Sequence, residues 1–343
     1  MREVLEQLCA GRSLERAAAR DLFRQVVEGS VPEPVLAAVL TALKVKGETA
    51  GELAGAAEAL RSSALPLGDL PFPVADSCGT GGDGTGTVNA STAAALVCAA
   101  CGVRVAKHGN RSVSSACGSA DVLEACGVRV DGDPAFVRRA LDEVGIGFLF
   151  APRFHPGVRH AMPVRRALGV RTIFNLLGPL CNPAAPRYQL LGVYDAALCR
   201  PVAETLALLG CERALVVHGD GLDEIALHGP TTAVLLDGGR LEAFVLDPSH
   251  AGFERAPVEA LRGGGAAENG AWLRGILRGE GDPVHQHWVA LNAGALLWVT
   301  GETANLRDGA RRALDTLAQG LAAPLLDRWV ALSRSHRETG GES

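Results

Sequence analysis

No run of about 18 apolar residues occurs in this 343-residue sequence, so nothing in it suggests a membrane-spanning helix. The opening stretch lacks the apolar segment of a secretory leader, because Met1 to Leu8 already includes Glu3 and Glu6. Basic side chains are not in surplus. The formal net charge of −5 argues against a general nucleic-acid binder, while leaving room for a local basic pocket. The nine cysteines are scattered and odd in number, which disfavours a disulfide framework. Internal repeats and low-complexity tracts are missing as well. Together these absences lead to the expectation of a soluble, cytoplasmic protein that meets neither membrane nor nucleic acid. The hydrophobic share of 48% against 21% charged is enough to fill a large core, in one large domain or two unequal ones.

Residues 1 to about 70 read as helices only. Leu22, Phe23, Val26 and Val27 recur at helical spacing. Ser30 and Glu33 suggest a capping box before the run Val35 to Val45. Lys44 and Lys46 suit the end of that helix, and Gly47 suits its stop. Thr49 and Glu52 form a second capping box, opening a helix to about Ser62. The proline-rich stretch Ser63 to Pro73 reads as a linker.

Beyond it the pattern changes. Short β-rich runs alternate with helical ones: Val74 to Ser77, a helix from about Ser91 to Cys101, then Val103 to Ala106. Further strands are expected at Gly147 to Phe150, Leu190 to Val193, Ala214 to Val217, and Ala233 to Leu236 turning at Asp237-Gly238-Gly239 into Leu241 to Leu246. The expected fold class is α/β. A small N-terminal helical domain (1–70, joined by helices near 165–185) precedes a large domain (71–343) with a mostly parallel sheet flanked by helices. Ligands of such sheets bind at the strand ends, where loops carry glycine.

One such loop is Asp76-Ser-Cys-Gly79-Thr-Gly81-Gly82-Asp83-Gly84. Gly79, Gly81 and Gly84 satisfy G-x-G-x-x-G, yet a dinucleotide site is disfavoured. The helix begins too late, near Asn89 to Thr92, and Lys107 stands where an acidic residue should hold a ribose. No lysine follows Gly84, so this is not a Walker A loop. The segment does offer backbone N–H groups that an anion can approach closely. Asn89, Ser91 and Thr92 add donors at a helix start, and Lys107 adds a point charge. The stretch from His108 through Asn110, Arg111 and Ser119 to Asp121 is dense in donors. The two segments together point to a phosphate-rich ligand rather than two ordinary polar loops.

Gly79-Thr-Gly-Gly-Asp83, Asn89-Ala-Ser-Thr92 and Lys107-His-Gly-Asn-Arg-Ser112 resemble the phosphoribosyl-pyrophosphate loops of the anthranilate phosphoribosyltransferases. The likeness spans nearly the whole chain, including Lys44-Val-Lys-Gly-Glu-Thr49 and Leu291-Asn-Ala-Gly-Ala295. It implies transfer of the 5-phosphoribosyl group to the amine of anthranilate, a step of tryptophan biosynthesis, with release of pyrophosphate. It implies that Gly79, Gly82, Asp83, Thr87, Asn89, Ser91, Thr92, Lys107 and Ser119 bind the donor. A homodimer through the N-terminal helices is implied too. Pyrimidine nucleoside phosphorylases share the fold, but carry Lys-x-Ser-Gly-Arg where this chain has Lys107-His-Gly-Asn-Arg111. Phosphorolysis, or a non-catalytic relative that binds nucleic acid, are the alternatives.

The segment Phe154 to Arg166 has five basic side chains, counting His, in 13 positions, and Pro156 and Pro163 argue against one continuous basic helix. A carboxylate calls for an arginine fork and a flat ring for an apolar slot. The resemblance implies Arg165 as the partner of the anthranilate carboxylate. Gly79, His108, Asn110 and Gly178 would line the inner site, with Pro179 in its wall and His155 further out. Asp223 and Glu224 follow a strand as adjacent carboxylates, a pair suited to Mg²⁺. The family's matching pair binds that ion, and Ser91 joins it in the implied set. No residue announces itself as a base; His108 is a candidate proton acceptor. Cys98-x-x-Cys101 and the four tryptophans are expected in the core, and His285-x-His287 on the surface.

Overall fold

The computed structural model describes residues 1–81, 86–112 and 116–339, the side chains of 336–339 excepted. Gly82 and Asp83 therefore lie outside the described residues.

Four helices open the chain: α1 (Arg2–Cys9), α2 (Arg16–Val27), α3 (Glu33–Lys46) and α4 (Ala50–Ser62). In α2 the buried residues include Leu22, Phe23, Val26 and Val27, one apolar stripe at helical spacing. Thr49 and Glu52 form the expected capping box, and Glu52 also takes the Lys46 ammonium at 2.8 Å. The box expected at Ser30 does not form. Pro32 is the N-cap residue of α3, and Ser30 instead donates to the Gln25 carbonyl. Pro34 in the first turn presets the helical φ, so no side-chain cap is needed there.

The sheet has seven strands: β1 (Ala75–Gly79), β2 (Val105–Gly109), β3 (Ile146–Phe150), β4 (Tyr188–Gly192), β5 (Arg213–His218), β6 (Thr231–Asp237) and β7 (Arg240–Leu246). Their order is β3-β2-β1-β4-β5-β6-β7. The first five are mutually parallel, and β6 and β7 form an antiparallel hairpin on the edge. The chain therefore winds outward in both directions from β1 and β4, and the crevice at their carboxyl ends is the switch point where ligands bind.

Alternate residues of the central strands feed two cores. Leu190, Leu215 and Val217 face one. That side is covered by α5 (Ala90–Ala100), α6 (Ser119–Ala125) and α7 (Pro134–Glu143), together with helices from the last third of the chain. Leu191, Ala214 and Val216 face the other, with residues from α1 to α4. The short α8 (Ala151–Phe154) follows β3. Next come α9 (Met162–Leu168), α10 (Phe174–Leu180) and α11 (Cys199–Leu208), which contribute residues to this second core. Pro156 and Pro163 sit in the first turns of a 3-10 segment and of α9. They start helical turns, a position where the missing N–H costs nothing.

The remaining helices are α12 (Ala266–Leu277), α13 (Pro283–Val299), α14 (Leu306–Ala318) and α15 (Ala323–Thr339). Trp288 and Trp329 are fully buried, while Trp272 and Trp298 pack at the core edge. His285 is half-buried and takes the Trp272 indole N–H at 3.0 Å, so the pair is not simply surface. The Cys98 thiol donates to the Ala293 carbonyl, which makes it a packing residue. Among the described residues no helix is long and apolar enough to cross a membrane.

Candidate active site

At the switch point, Gly79 of β1 pairs with Gly192 of β4. Above them the chain leaving β5 folds back, and Asp223 rests on both. A Cβ on Gly192 would fall onto the Asp223 carbonyl, and one on Gly79 onto its carboxylate. Only two glycines allow this close approach. Asp223 Oδ2 accepts the Gly81 N–H at 2.6 Å, and Glu224 Oε1 accepts the Ser91 N–H at 3.2 Å, in the first turn of α5. The glycine loop, the α5 N-terminus and the carboxylate pair thus meet at one place. The α5 dipole suits an anion there, and the carboxylate oxygens suit a hard cation.

Several expected donors also make contacts within the protein. Asn89 caps α5, but its amide donates to the Cys117 carbonyl and accepts from Asn269. Thr92 is 1% exposed and turned inward. Lys107 lies in the middle of β2, 2% exposed, with its ammonium on the Ser77 carbonyl and 3.5 Å from Ser91 Oγ. Its ammonium therefore stands beside Ser91, in the first turn of α5. Thr87 forms a backbone bridge with Arg262, fastening the end of the loop. Ser119 Oγ donates to the Asn110 carbonyl.

On the other side of β1 lies a second group. His108 ends in a buried ring whose Nδ1 meets the Gly178 carbonyl at 2.8 Å. His155 stands edge-on to it, ring centroids 5.2 Å apart, with Nδ1 at 3.3 Å from the Leu60 carbonyl. His155 thus belongs to the same buried pocket rather than further out. Burial pushes the His108 pKa down to about 3, reinforced by His155 and opposed by the Gly178 carbonyl. His155 falls to about 4, also through burial, against the carbonyls of Leu60 and Cys181. Both rings are neutral near pH 7, which makes His108 a hydrogen-bonding wall and a poor proton acceptor.

Gly178 is exposed, with open space where a Cβ would point. Asn110 is exposed at the end of β2. Arg165, in α9, is half-buried against Met162 and the Phe174 ring, which lies 5.1 Å from its guanidinium. It has no acidic partner among the described residues, and burial lowers its pKa from the ordinary value. An unpaired, partly desolvated guanidinium is ready for a carboxylate.

Three residues beneath the site were not read from the sequence. Asp76 is wholly buried and takes the Asn182 amide at 2.8 Å, while Asn182 also donates to the Ala106 carbonyl. This ties β1, β2 and the chain after α10 together. Burial raises the Asp76 pKa, with Lys107 pulling the other way. Asn269 bridges Gly264 and Asn89 from 180 residues away. Only the tertiary fold brings such partners together, so no local spacing could have marked them.

Residues 2–64 match the helical bundle domain of the glycosyl transferase family, and residues 72–323 match its α/β domain. An anthranilate phosphoribosyltransferase of Sorangium cellulosum is 57% identical over 97% of this chain and 96% of its own length. The chain belongs to the anthranilate phosphoribosyltransferase family. The crystal structure of the Thermus thermophilus family member superposes with a TM-score of 0.92 at 46% identity, covering 96% of this chain and 99% of that one. The Saccharomyces cerevisiae family member, solved in complex with phosphoribosyl pyrophosphate and Mg, matches at 0.87 and 28%, covering 97% of each chain. The small-helical-plus-α/β fold expected from sequence is the family's fold.

Proposed function

We propose that this chain transfers the 5-phosphoribosyl group of 5-phosphoribosyl-1-pyrophosphate to the amine of anthranilate, as its family does. The observation that carries the assignment to this site is the convergence of the Gly79–Gly81 backbone, the α5 N-terminus and Asp223–Glu224 at the sheet's switch point. Anionic and cationic needs are met in one crevice, with the two-histidine pocket and Arg165 in the neighbouring segments.

The bond from ribose C1 to pyrophosphate breaks as the bond to nitrogen forms. Negative charge grows on the leaving group, and positive charge on the ribose. The Gly81 and Ser91 N–H groups donate to the Asp223 and Glu224 carboxylates and so hold that pair where the pyrophosphate charge would grow. Asp223 and Glu224, with Ser91, are the residues that would hold Mg²⁺. The ion, when bound, neutralises the pyrophosphate. Arg165 would hold the acceptor carboxylate, Asn110 and the neutral His108 and His155 would orient the ring and amine, and the open side of Gly178 would admit the ring. Such positioning supplies roughly 7–11 kcal/mol in favourable cases. No general base is needed in this scheme, since the amine's proton can leave to solvent once nitrogen is bonded.

The helical segment 1–70 and the remainder, 71–343, are taken as two domains. The first would pair with a second copy. A groove of about 520 Å³ between α1 and α3 is lined by Leu8, Ala38, Ala42 and Val45, and Val45 is 82% exposed. Val45→Glu should leave a monomer in sedimentation analysis if this face is the contact. The site placed here would act in the cytoplasm. The decisive assay mixes the chain, Mg²⁺, the donor and anthranilate, and follows loss of anthranilate fluorescence. Turnover is expected, with no phosphorolysis of thymidine or uridine. A well-folded sample with no turnover overturns the reading.

A further inference from the structure

Three side chains of the acceptor pocket bring ligand atoms toward one point. Ring nitrogens of His108 and His155 and the Cys181 sulfur lie within 4.8 Å of one another, and all three residues are buried. Each ring has Nδ1 against a backbone carbonyl, that of Gly178 or of Leu60. A carbonyl can only accept, so in the neutral ring Nδ1 carries the proton and Nε2 presents a lone pair. Both Nε2 atoms are buried and have no hydrogen-bond partner among the described residues, although the Cys181 carbonyl also acts on the His155 ring. A ring held by a carbonyl at one nitrogen, with the other left open, is how metal-ligating histidines are oriented. The Cys181 thiol makes only a weak contact, 3.5 Å to the Gly178 carbonyl.

We propose that His108, His155 and Cys181 form a binding site for a borderline-soft divalent ion, Zn²⁺ foremost, inside the acceptor pocket. Two imidazoles and a thiolate suit Zn²⁺, whereas Mg²⁺ demands oxygen. Zn–N bonds of about 2.0–2.1 Å and Zn–S of about 2.3 Å place tetrahedral ligand atoms roughly 3.3–3.6 Å apart. The three side chains must close by about an ångström, a rotamer adjustment. On binding, the thiol S–H bond breaks, its proton leaves to solvent, and a sulfur–metal bond forms. Both imidazoles enter neutral, and nothing is oxidised or reduced.

Burial favours the uncharged form of all three, with the Cys181 thiol pushed up to about 12. The imidazoles are ready as they stand, and the thiol exchanges its proton for the ion. Arg61 acts on all three groups: it favours the thiolate and opposes added positive charge, as Lys107 does at His108. Three protein ligands leave a fourth position for water. An ion here occupies the two imidazoles that the proposed acceptor site uses, so Zn²⁺ should compete with anthranilate. That consequence rests on the acceptor placement above; the binding itself does not.

The test titrates the metal-stripped full chain with Co²⁺, whose bond to a thiolate gives a near-ultraviolet charge-transfer band. The band should saturate at about one equivalent and vanish when Zn²⁺ is added. Cys181→Ser should abolish it and weaken Zn²⁺ binding by at least the roughly 10–100-fold that loss of an outer-shell partner costs. Whatever its metal-free turnover, the same variant should lose the sensitivity to Zn²⁺ that the parent chain shows. His155→Gln should weaken binding similarly. No band in the parent chain, or an unchanged band in either folded variant, overturns the site. Should Cys181→Ser fail to fold, His155→Gln alone decides. Stoichiometric Zn²⁺ that ignores anthranilate would uphold the metal site and sink the acceptor placement.

Discussion

The two halves of the crevice are built on opposite plans. The half proposed for the donor is made of backbone in tight contact: Gly79 and Gly192 leave room for Asp223 to lie on them, and its carboxylate takes the Gly81 N–H. The half proposed for the acceptor is made of side chains: Gly178 has open space where a Cβ would point, and Arg165, His108 and His155 are the groups that would meet the ligand. A glycine is essential in the first half for what it lets in from the protein, and in the second for what it leaves to the ligand. The same residue type therefore predicts different consequences on the two sides.

The harshest test of that contrast is Gly192→Ala. Its Cβ cannot share space with the Asp223 backbone. Displacing the carboxylate by about an ångström should cost ~100-fold or more in kcat/KM for the donor. Gly178→Ala, with open space around its Cβ, should shift stability by no more than about 0.5 kcal/mol and raise the KM of anthranilate selectively. Thermal melts and two-substrate kinetics on both variants decide, and equal damage would erase the distinction.

Arg165→Ala should come next. Losing a charge-assisted contact of about 1.5–3 kcal/mol raises the anthranilate KM roughly 10–150-fold, with the donor KM nearly unmoved. Equal effects on both constants would remove its assigned role. Asp223→Asn should do the reverse, raising the Mg²⁺ concentration needed for half-maximal rate while sparing the anthranilate KM.

A further effect is in stability against pH. His108 and His155 have pKa values lowered in the fold, to about 3 and about 4, from the ordinary 6.5. The unfolded chain then binds protons that the folded chain refuses. Stability is fully present above about pH 6.5 and declines as pH falls, to about pH 4 for His155 and about pH 3 for His108. Each contributes up to about 1.4 kcal/mol per pH unit. Denaturant titrations between pH 7 and 5 should show a shallower decline in His155→Gln than in the parent chain. An identical slope would mean that His155 is solvated.

Much of the architecture was legible because it is written in local pattern. The alternation of short apolar runs and helices located all seven strands to within a few residues, and Thr49–Glu52 located the start of α4. Glycine density and the following helix start located the crevice. What local pattern left open shares one cause. Asn89, Thr92 and Lys107 carry the functional groups of anion donors, yet the first is held by Asn269 and Cys117, the second is turned into the core, and the third is bound beneath the loop. Whether a polar side chain faces a ligand or the frame depends on partners tens to hundreds of residues away.

The sequence by itself determined the order of elements, the glycine loops and the types of group available at the site, since these follow from periodicity, backbone freedom and side-chain chemistry. Tertiary structure alone decided that Asp223 lies on Gly79 and Gly192, that His155 meets His108 and Cys181, and that Asp76 and Asn182 lock the strands beneath. Those contacts join distant segments, and their strength comes from burial, which no stretch of residues possesses until the chain has folded around it.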